Sequence, residues 1–490
     1  MTAVIMLQGT GSDVGKSILV AGLCRALKNR GYSVRPFKPQ NMSNNAAVTP
    51  EGGEIGRAQQ LQALACGAPS SVHMNPVLLK PQDGKSQVIV QGQVSGTGGM
   101  SYFKEKKTDL LGKILESFET LKQQADFIVV EGAGSPAEVN LRSGDIANMG
   151  FATTANVPVI LVGDINRGGV IASVVGTHNL LPENEQSLIK GYLINKFRGD
   201  TRLFDDALTL MTDLTGWHNM GIVPFIREVG DLPAEDGMAL DGKQGHTRSS
   251  NLLIVVPRLA HIANFDDLDP LQSEEDVDVV FVQPGTPLPG DADLVILPGS
   301  KTTLADLHDF RQQGWDIDLT AHIRRGGKVL GLCGGYQMLG TLLSDPDGIE
   351  GAKETISGLG LLGLETTLCA SKTVKLTDVS DVVLGCQTSG YEIHLGDTRV
   401  VDPALVPWLL DDDRPIGYMS ENRQIAGTYL HGLFTDNAFR QKFLNRFRQK
   451  DGSYSDYSSK IEKALDTLAQ ELENCVDIDA IIRIAKEADQ

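Results

Sequence analysis

No apolar run in this 490-residue sequence approaches the roughly 18 residues that span a bilayer, so a membrane protein is not expected. Positive charge is also in short supply: 44 Lys and Arg stand against 62 Asp and Glu, a formal net charge of −18. A nucleic-acid surface needs a local excess of Lys and Arg, and no segment has one, so nucleic acid is not expected as a partner. The six cysteines, at 24, 66, 333, 369, 386 and 475, are scattered without a CxxC pair or a His-rich neighbour. That argues against structural zinc and against a disulfide framework, and leaves most of them as small core residues. The opening stretch Met1 to Leu7 lacks basic residues and runs straight into a glycine-rich loop that needs it as a strand, so the cytoplasm is the expected compartment. Internal repeats and low-complexity tracts are absent too.

What is present reads as α/β, in two domains and a tail. From Met1 to about Ile226, β-branched runs alternate with amphipathic segments, and several runs end in a small or acidic residue: Val4 to Leu7, Phe127 to Val130 before Glu131, Val157 to Val162 before Asp164, and Ile189 to Ile194 before Asn195. Buried parallel strands have this composition, and open α/β sheets collect ligands at their carboxyl ends. The expected first domain, 1–227, is a doubly wound parallel sheet. Residues 228–250 lose periodicity and gain Gly, Asp, Pro, Gln and Ser, the character of an exposed connection. A second α/β series over 251–447 takes in Leu252 to Val256, Leu294 to Leu297, Lys328 to Leu332 and Ile425 to Tyr429. In the tail, 448–490, the spacing of Ile461, Leu465, Leu468 and Leu472 predicts docking helices.

Gly9-Thr10-Gly11-Ser12-Asp13-Val14-Gly15-Lys16-Ser17 lies between a predicted strand and the apolar helix Ile18 to Leu27. Such a turn aims backbone N–H groups and a helix N-terminus at phosphate oxygens, while Lys16 neutralises charge and the Ser17 hydroxyl suits Mg²⁺. The first glycine lies one residue further out than in GxxxxGK[ST], with Thr10 in its usual place. Thr10, Gly11, Gly15, Lys16 and Ser17 are therefore the expected ATP contacts. Glu131 and Asp164 each follow a strong strand, where a carboxylate can hold Mg²⁺ or polarise a reacting group. Asp164 precedes Ile165-Asn166-Arg167-Gly168-Gly169, which reads either as an anion site or as a turn closed by the Asp side chain.

Gly331-Leu332-Cys333-Gly334-Gly335 has the form of a nucleophile elbow: a cysteine lifted from the core at a strand-to-helix turn, with N–H groups after it to stabilise an oxyanion. Gly334 is one expected oxyanion donor. Gly299, in the turn Pro298-Gly299-Ser300, is the other. His431 follows the last strand of the second series, from which it can approach Cys333 as its base.

The phosphate loop resembles that of dethiobiotin synthetase and its relatives, ATP-dependent enzymes that activate carboxylates. The resemblance extends to Lys38-Pro39, implying a second lysine at the phosphates, and to Glu131-Gly132-Ala133-Gly134, implying with Ser17 a metal pair. It breaks at Arg57, which stands where that family has a metal-binding Asp, with Glu54 one turn earlier as a possible substitute. The second half resembles class I glutamine amidotransferases, in which the catalytic histidine is usually followed two residues on by an orienting Glu. Here that position is Leu433, which implies a Cys333/His431 dyad or another orienting group, with Glu392 and His394 as nearby candidates. If the histidine is weakly oriented, glutaminase activity should depend on the ATP site.

Joined in this order, the two halves resemble the cobyrinic acid amidating enzymes of cobalamin synthesis. Lys38 to Asn45, Glu54 to Gln59, Asn75 to Pro81 and Glu131 to Glu138 carry that likeness across nearly the whole chain. The resemblance implies a cobalamin-biosynthetic ligase using ATP, Mg²⁺, glutamine and a corrinoid carboxylic acid, and amidation of the b, d, e and g carboxylates of adenosylcobyrinic acid a,c-diamide. Asn41 and Asn44, with Asp164, are then the expected substrate contacts, although the Asn-rich stretch also reads as a plain polar loop. Two alternatives remain: the enzyme that forms the a,c-diamide, disfavoured by the Asn-rich stretch, and a nucleotide-switched binding protein with a degenerate second half, disfavoured by the intact elbow and His431.

Overall fold

The computed structural model describes residues 2–82, 84–235, 252–448 and 455–487. The first strand, Ala3–Gly9, is buried at every residue. It sits inside a six-stranded, wholly parallel sheet in the order Val34–Phe37, Phe127–Glu131, Ala3–Gly9, Val159–Asp164, Ile189–Phe197, His218–Pro224. Helices cover both faces, which is why the inner strands Ala3–Gly9, Phe127–Glu131 and Val159–Asp164 are buried at every residue instead of alternating. At the carboxyl end of Ala3–Gly9 the chain turns into the helix Lys16–Asn29 through Gly15, whose φ of 94° favours glycine.

Two smaller sheets were not legible in sequence. Gln40–Met42, Val77–Gln82, Lys85–Val90 and Gln93–Gly98 form a four-stranded sheet, and Ala46–Val48 pairs with Glu54–Gly56 as a ribbon. Three-residue strands such as Gln-Asn-Met and Glu-Ile-Gly are too short to show an alternation. These sheets carry the contact with the second half: Ala46, Val48, Leu78 and Ile89 share one apolar cluster with Tyr391 and Ile393.

The second half is built on the parallel strands Val277–Val282, Leu252–Pro257, Leu294–Leu297, Lys328–Leu332 and Ile425–Thr428, in that order. The sheet continues antiparallel through Arg414–Met419 and Val406–Asp411 to a long hairpin, Leu364–Asp381 with Cys386–Val400. The hairpin's second strand pairs Tyr391 with His431, and this places the histidine.

The tail returns to the first half. Ile461, Leu465, Leu468 and Leu472 lie on one face of the helix Tyr457–Cys475, all buried in the same core as Leu19, Leu23 and Leu27 of the helix after the phosphate loop. Contact is close at Gly22, where a Cβ would stand 2.6 Å from Leu472 and 2.7 Å from Leu468. Around this apolar seam Arg25 pairs with Glu462, and Arg30 with Glu473 and Asp479. A second helix, Ile478–Glu487, packs against the first strand. Among the described residues, no helix is long and apolar enough to cross a membrane.

Candidate active site

A cavity of about 1360 Å³ opens at the carboxyl ends of the first sheet. It exceeds the roughly 300–1,000 Å³ usual for a single small-molecule site, so it has room for a nucleotide and a second, bulky ligand. Gly15, Lys16, Ser17, Lys38, Asn41 and Glu131 line it. Lys16 Nζ donates to the carbonyls of Gly11 and Gly134, each at 3.1 Å, and so lies across the loop. Ser17 Oγ donates to Glu131 Oε1 at 2.7 Å, and Lys38 Nζ to the same oxygen at 2.8 Å. Burial lowers the Lys16 ammonium's pKa, against the pull of Glu131. Burial also opposes charge on Lys38, but the carboxylates of Glu131 and Glu235 outweigh it and raise its pKa.

Other expected contacts are placed differently. The N–H of Thr10 is taken by Val162 O at 2.9 Å, and neither Thr10 nor Gly11 is among the cavity-lining residues. Asp164 is buried, accepts from its own Asn166 N–H at 2.8 Å and pairs with Lys196 at 3.0 Å. Of the two sequence readings this is the side-chain-closed turn, and it is Arg167 and Lys196 that face the cavity. Asn41 Nδ2 donates to Gln59, while Asn44 lies off the lining. Their neighbour Asn45 serves the domain contact, its Oδ1 accepting from Asn264 N–H at 2.7 Å. The expected exposed connection starts otherwise: residues 229–235 line the cavity, and Glu235 reaches Ser17 and Lys38. Residues 236–250 of that connection lie outside the described residues.

In the second half, Cys333 stands between Lys328–Leu332 and the short helix Gly334–Met338 with φ 50° and ψ −106°, the strained turn of a nucleophile elbow. Glycine is required behind it: a Cβ on Gly335 would lie 2.1 Å from Leu297 O. Gly335 N–H donates to Pro298 O at 3.1 Å, tying the elbow to the turn that carries Gly299. Gly334 lies against that same turn, where its Cβ would meet Ser300 N at 2.8 Å. The two expected oxyanion glycines thus come from adjoining loops.

His431 and Cys333 line the same small pocket; Cys333 Sγ donates to Ile393 O at 3.4 Å, and His431 Nδ1 lies 2.7 Å from Asp267 Oδ2. Asp267 Oδ1 accepts from Gly432 N–H, also at 2.7 Å. An orienting acid is therefore present, supplied from the turn Phe265–Leu268 instead of position 433. Burial would lower the imidazole's pKa, but Asp267 and Cys333 push it up to about 10. The expectation of a weakly oriented histidine is overturned. Glu392 instead meets Arg414 at 2.5 Å and His394 at 3.3 Å, and Tyr391 stacks on the imidazole. Sequence offered one faint signal for Asp267, the Asp266-Asp267 pair, but nothing to link it with a histidine 164 residues on.

The two halves meet at this site. Arg57 Nε bonds Asp266 Oδ2 at 2.9 Å, so the first half braces the residue beside Asp267. Glu54 is wholly buried between Lys80 and Lys372, at 2.8 and 2.5 Å. Burial would raise its pKa, but the two ammonium groups hold it at about 2. Burial pushes Lys372 down to about 7 against the attraction of Glu54. Lys80 and Lys372 also line the thiol pocket, which holds about 50 Å³, room for one or two waters at about 30 Å³ each.

A phosphate loop heading a doubly wound sheet, fused to a cysteine elbow with a histidine and a buried aspartate, defines the class: a nucleotide-binding unit joined to a glutamine amidotransferase unit. Residues 5–238 match the family model of the CobQ/CobB/MinD/ParA nucleotide binding domain, and residues 253–439 that of the CobB/CobQ-like glutamine amidotransferase domain. The chain is 57% identical over 478 residues to a cobyric acid synthase of Rhizobium meliloti, covering 97% of this chain and 98% of that protein. It is 56% identical over 485 residues to that of Brucella anthropi, covering 99% and 100%. The chain belongs to the cobyric acid synthase family, and is an amidating ligase with a glutamine amidotransferase domain.

Proposed function

We propose that the chain converts a corrinoid carboxylic acid, adenosylcobyrinic acid a,c-diamide, into adenosylcobyric acid by ATP- and glutamine-dependent amidation at the b, d, e and g side chains. The observation that carries this reading is the shared wall of the thiol pocket: the cysteine of one unit and Lys80 of the other bound the same space.

The Cys333 thiolate attacks the glutamine amide carbon, and the oxyanion is met by backbone N–H groups around Gly334 and the Gly299 turn. The His431 imidazolium, held by Asp267, gives its proton to the leaving nitrogen, so ammonia departs. Water then releases glutamate from the thioester. In the large cavity, Gly15, Lys16 and Lys38 bind and orient ATP, whose terminal phosphoryl group passes to the substrate carboxylate. Ammonia attacks that acyl phosphate, forming the amide and releasing phosphate. A carboxylate is a poor electrophile and ammonium is no nucleophile, so the two activations need each other.

The oxygen donors Ser17 and Glu131, 2.7 Å apart, suit a hard divalent cation and would hold Mg²⁺. When bound, that cation neutralises charge on the transferring phosphoryl group.

The 50 Å³ pocket admits glutamine only when its wall yields, and part of that wall belongs to the nucleotide-binding unit. The enzyme test separates the two sites. Cys333→Ala should abolish glutamine-dependent amidation and retain amidation with added ammonia, while Lys16→Ala should lose both. Equal loss of both activities in a folded Cys333→Ala protein refutes the scheme.

A further inference from the structure

Glu235 enters the phosphate end of the cavity from a segment in which sequence offered no functional signal. Its carboxylate meets Ser17 Oγ and, at 2.8 Å, Lys38 Nζ. Ser17 and Lys38 both also meet Glu131 Oε1. One hydroxyl and two carboxylates therefore converge, with the Lys38 ammonium as their shared counter-charge. The approach of Glu235 is fixed by its own backbone, whose carbonyl accepts from Ser43 Oγ at 3.0 Å and Asn45 Nδ2 at 3.3 Å.

A buried amide fixes the Glu131 carboxylate from behind. Gln62 is fully buried and donates its Nε2 to Glu131 Oε2 at 2.6 Å and to Ser17 O at 3.2 Å, yet its Oε1 has no partner. Its two Nε2 bonds hold the Glu131 carboxylate beside Ser17, so these two donors are built to act together. The acid that sequence offered for the missing metal ligand is engaged elsewhere: Glu54 lies between Lys80 and Lys372, and Arg57, at the position of the missing ligand, pairs with Asp266.

We propose that Glu235 is a ligand of the divalent cation that accompanies the nucleotide, sharing it with Ser17 Oγ and Glu131, and that Lys38 leaves the two carboxylates for the phosphates when the cation binds. Hard cations that keep several waters take one or two carboxylates together with substrate phosphates, which matches this donor set. The inference rests on the nucleotide reading of the cavity.

Mn²⁺ binding, followed by electron paramagnetic resonance on the full-length enzyme with the non-hydrolysable analogue β,γ-imido-ATP, tests it without relying on turnover. For Glu235→Gln the Mn²⁺ affinity in the presence of analogue should fall at least tenfold. The metal-free analogue should bind as tightly as to the wild type or more tightly, because a negative charge has left the phosphates' surroundings. Glu235→Asp, which keeps the charge, should fall between the two and serves as the assay if the Gln variant is poorly folded. Mn²⁺ affinity within twofold of wild type in both variants overturns the proposal. So does tighter binding of the analogue with and without metal, which would make Glu235 a plug in the phosphate site. Failure of the wild type to bind the analogue at all would instead remove the nucleotide reading itself.

Discussion

Replacing Asp267 with Asn tests the one acid that ties the histidine down. The carboxylate lies 2.7 Å from His431 Nδ1 and 2.7 Å from Gly432 N, and both side chains are 2% exposed. Asn keeps the shape, and its oxygen can still accept from Gly432. Its amide nitrogen then faces the imidazole and donates, which makes Nδ1 an acceptor and puts the ring proton on the nitrogen that serves Cys333. A hydrogen bond to a charged partner contributes about 1.5–3 kcal/mol, so glutaminase turnover should fall about 10- to 150-fold. The sign of the pH effect follows from the raised pKa. With Asp267 as the largest raising influence, the imidazole's pKa stands at about 10, and removing the carboxylate lets the proton leave earlier. The basic limb of the glutaminase profile should therefore move to lower pH. Glutamate release measured across pH 6–11 reads both effects, with amidation from added ammonia as the control that should not change. A rate within twofold of wild type together with an unmoved basic limb would refute Asp267 as the orienting group.

Glu54→Gln leaves Lys80 and Lys372 buried without their counter-charge, a loss of about 3–5 kcal/mol, and should lower the midpoint of thermal unfolding. Because Glu54 ionises at about 2, its contribution is present above the ordinary carboxylate range and fades as pH falls toward 2. The gap in calorimetric midpoint between wild type and variant should therefore narrow in acid, and an equal gap at all pH values would count against the pairing. Gly22→Val drives a side chain into Leu468 and Leu472, each under 3 Å from the Cβ position. Overpacking of this kind costs about 1–3 kcal/mol and should speed hydrogen exchange across 457–487.

Local features were legible in sequence and distant pairings were not. The elbow and the phosphate loop announce themselves because their chemistry depends on glycines a few residues apart, and the strands behind them because a sheet covered on both faces is continuously apolar. Asp267 was hidden because its role arises only when the hairpin strand Cys386–Val400 carries His431 across to it. The Asn-rich stretch divided: Asn41 faces the cavity, while Asn45 bonds the backbone of Asn264 in the other unit. Arg57, which broke the resemblance as a missing metal ligand, is an inter-unit partner of Asp266. Glu235 gave no signal because its segment has neither periodicity nor a motif, and only the fold brings it to Ser17.

The return of the tail to the helix Lys16–Asn29 has a consequence for how the polypeptide is made. Leu19, Leu23 and Leu27 find their covering side chains in residues 461–472, which are translated long after them. The core of the nucleotide-binding half therefore stays unfinished until those residues have been made. A product terminated before residue 461 presents an uncovered leucine stripe to chaperones and proteases, so quality control at this seam favours copies that carry both active sites.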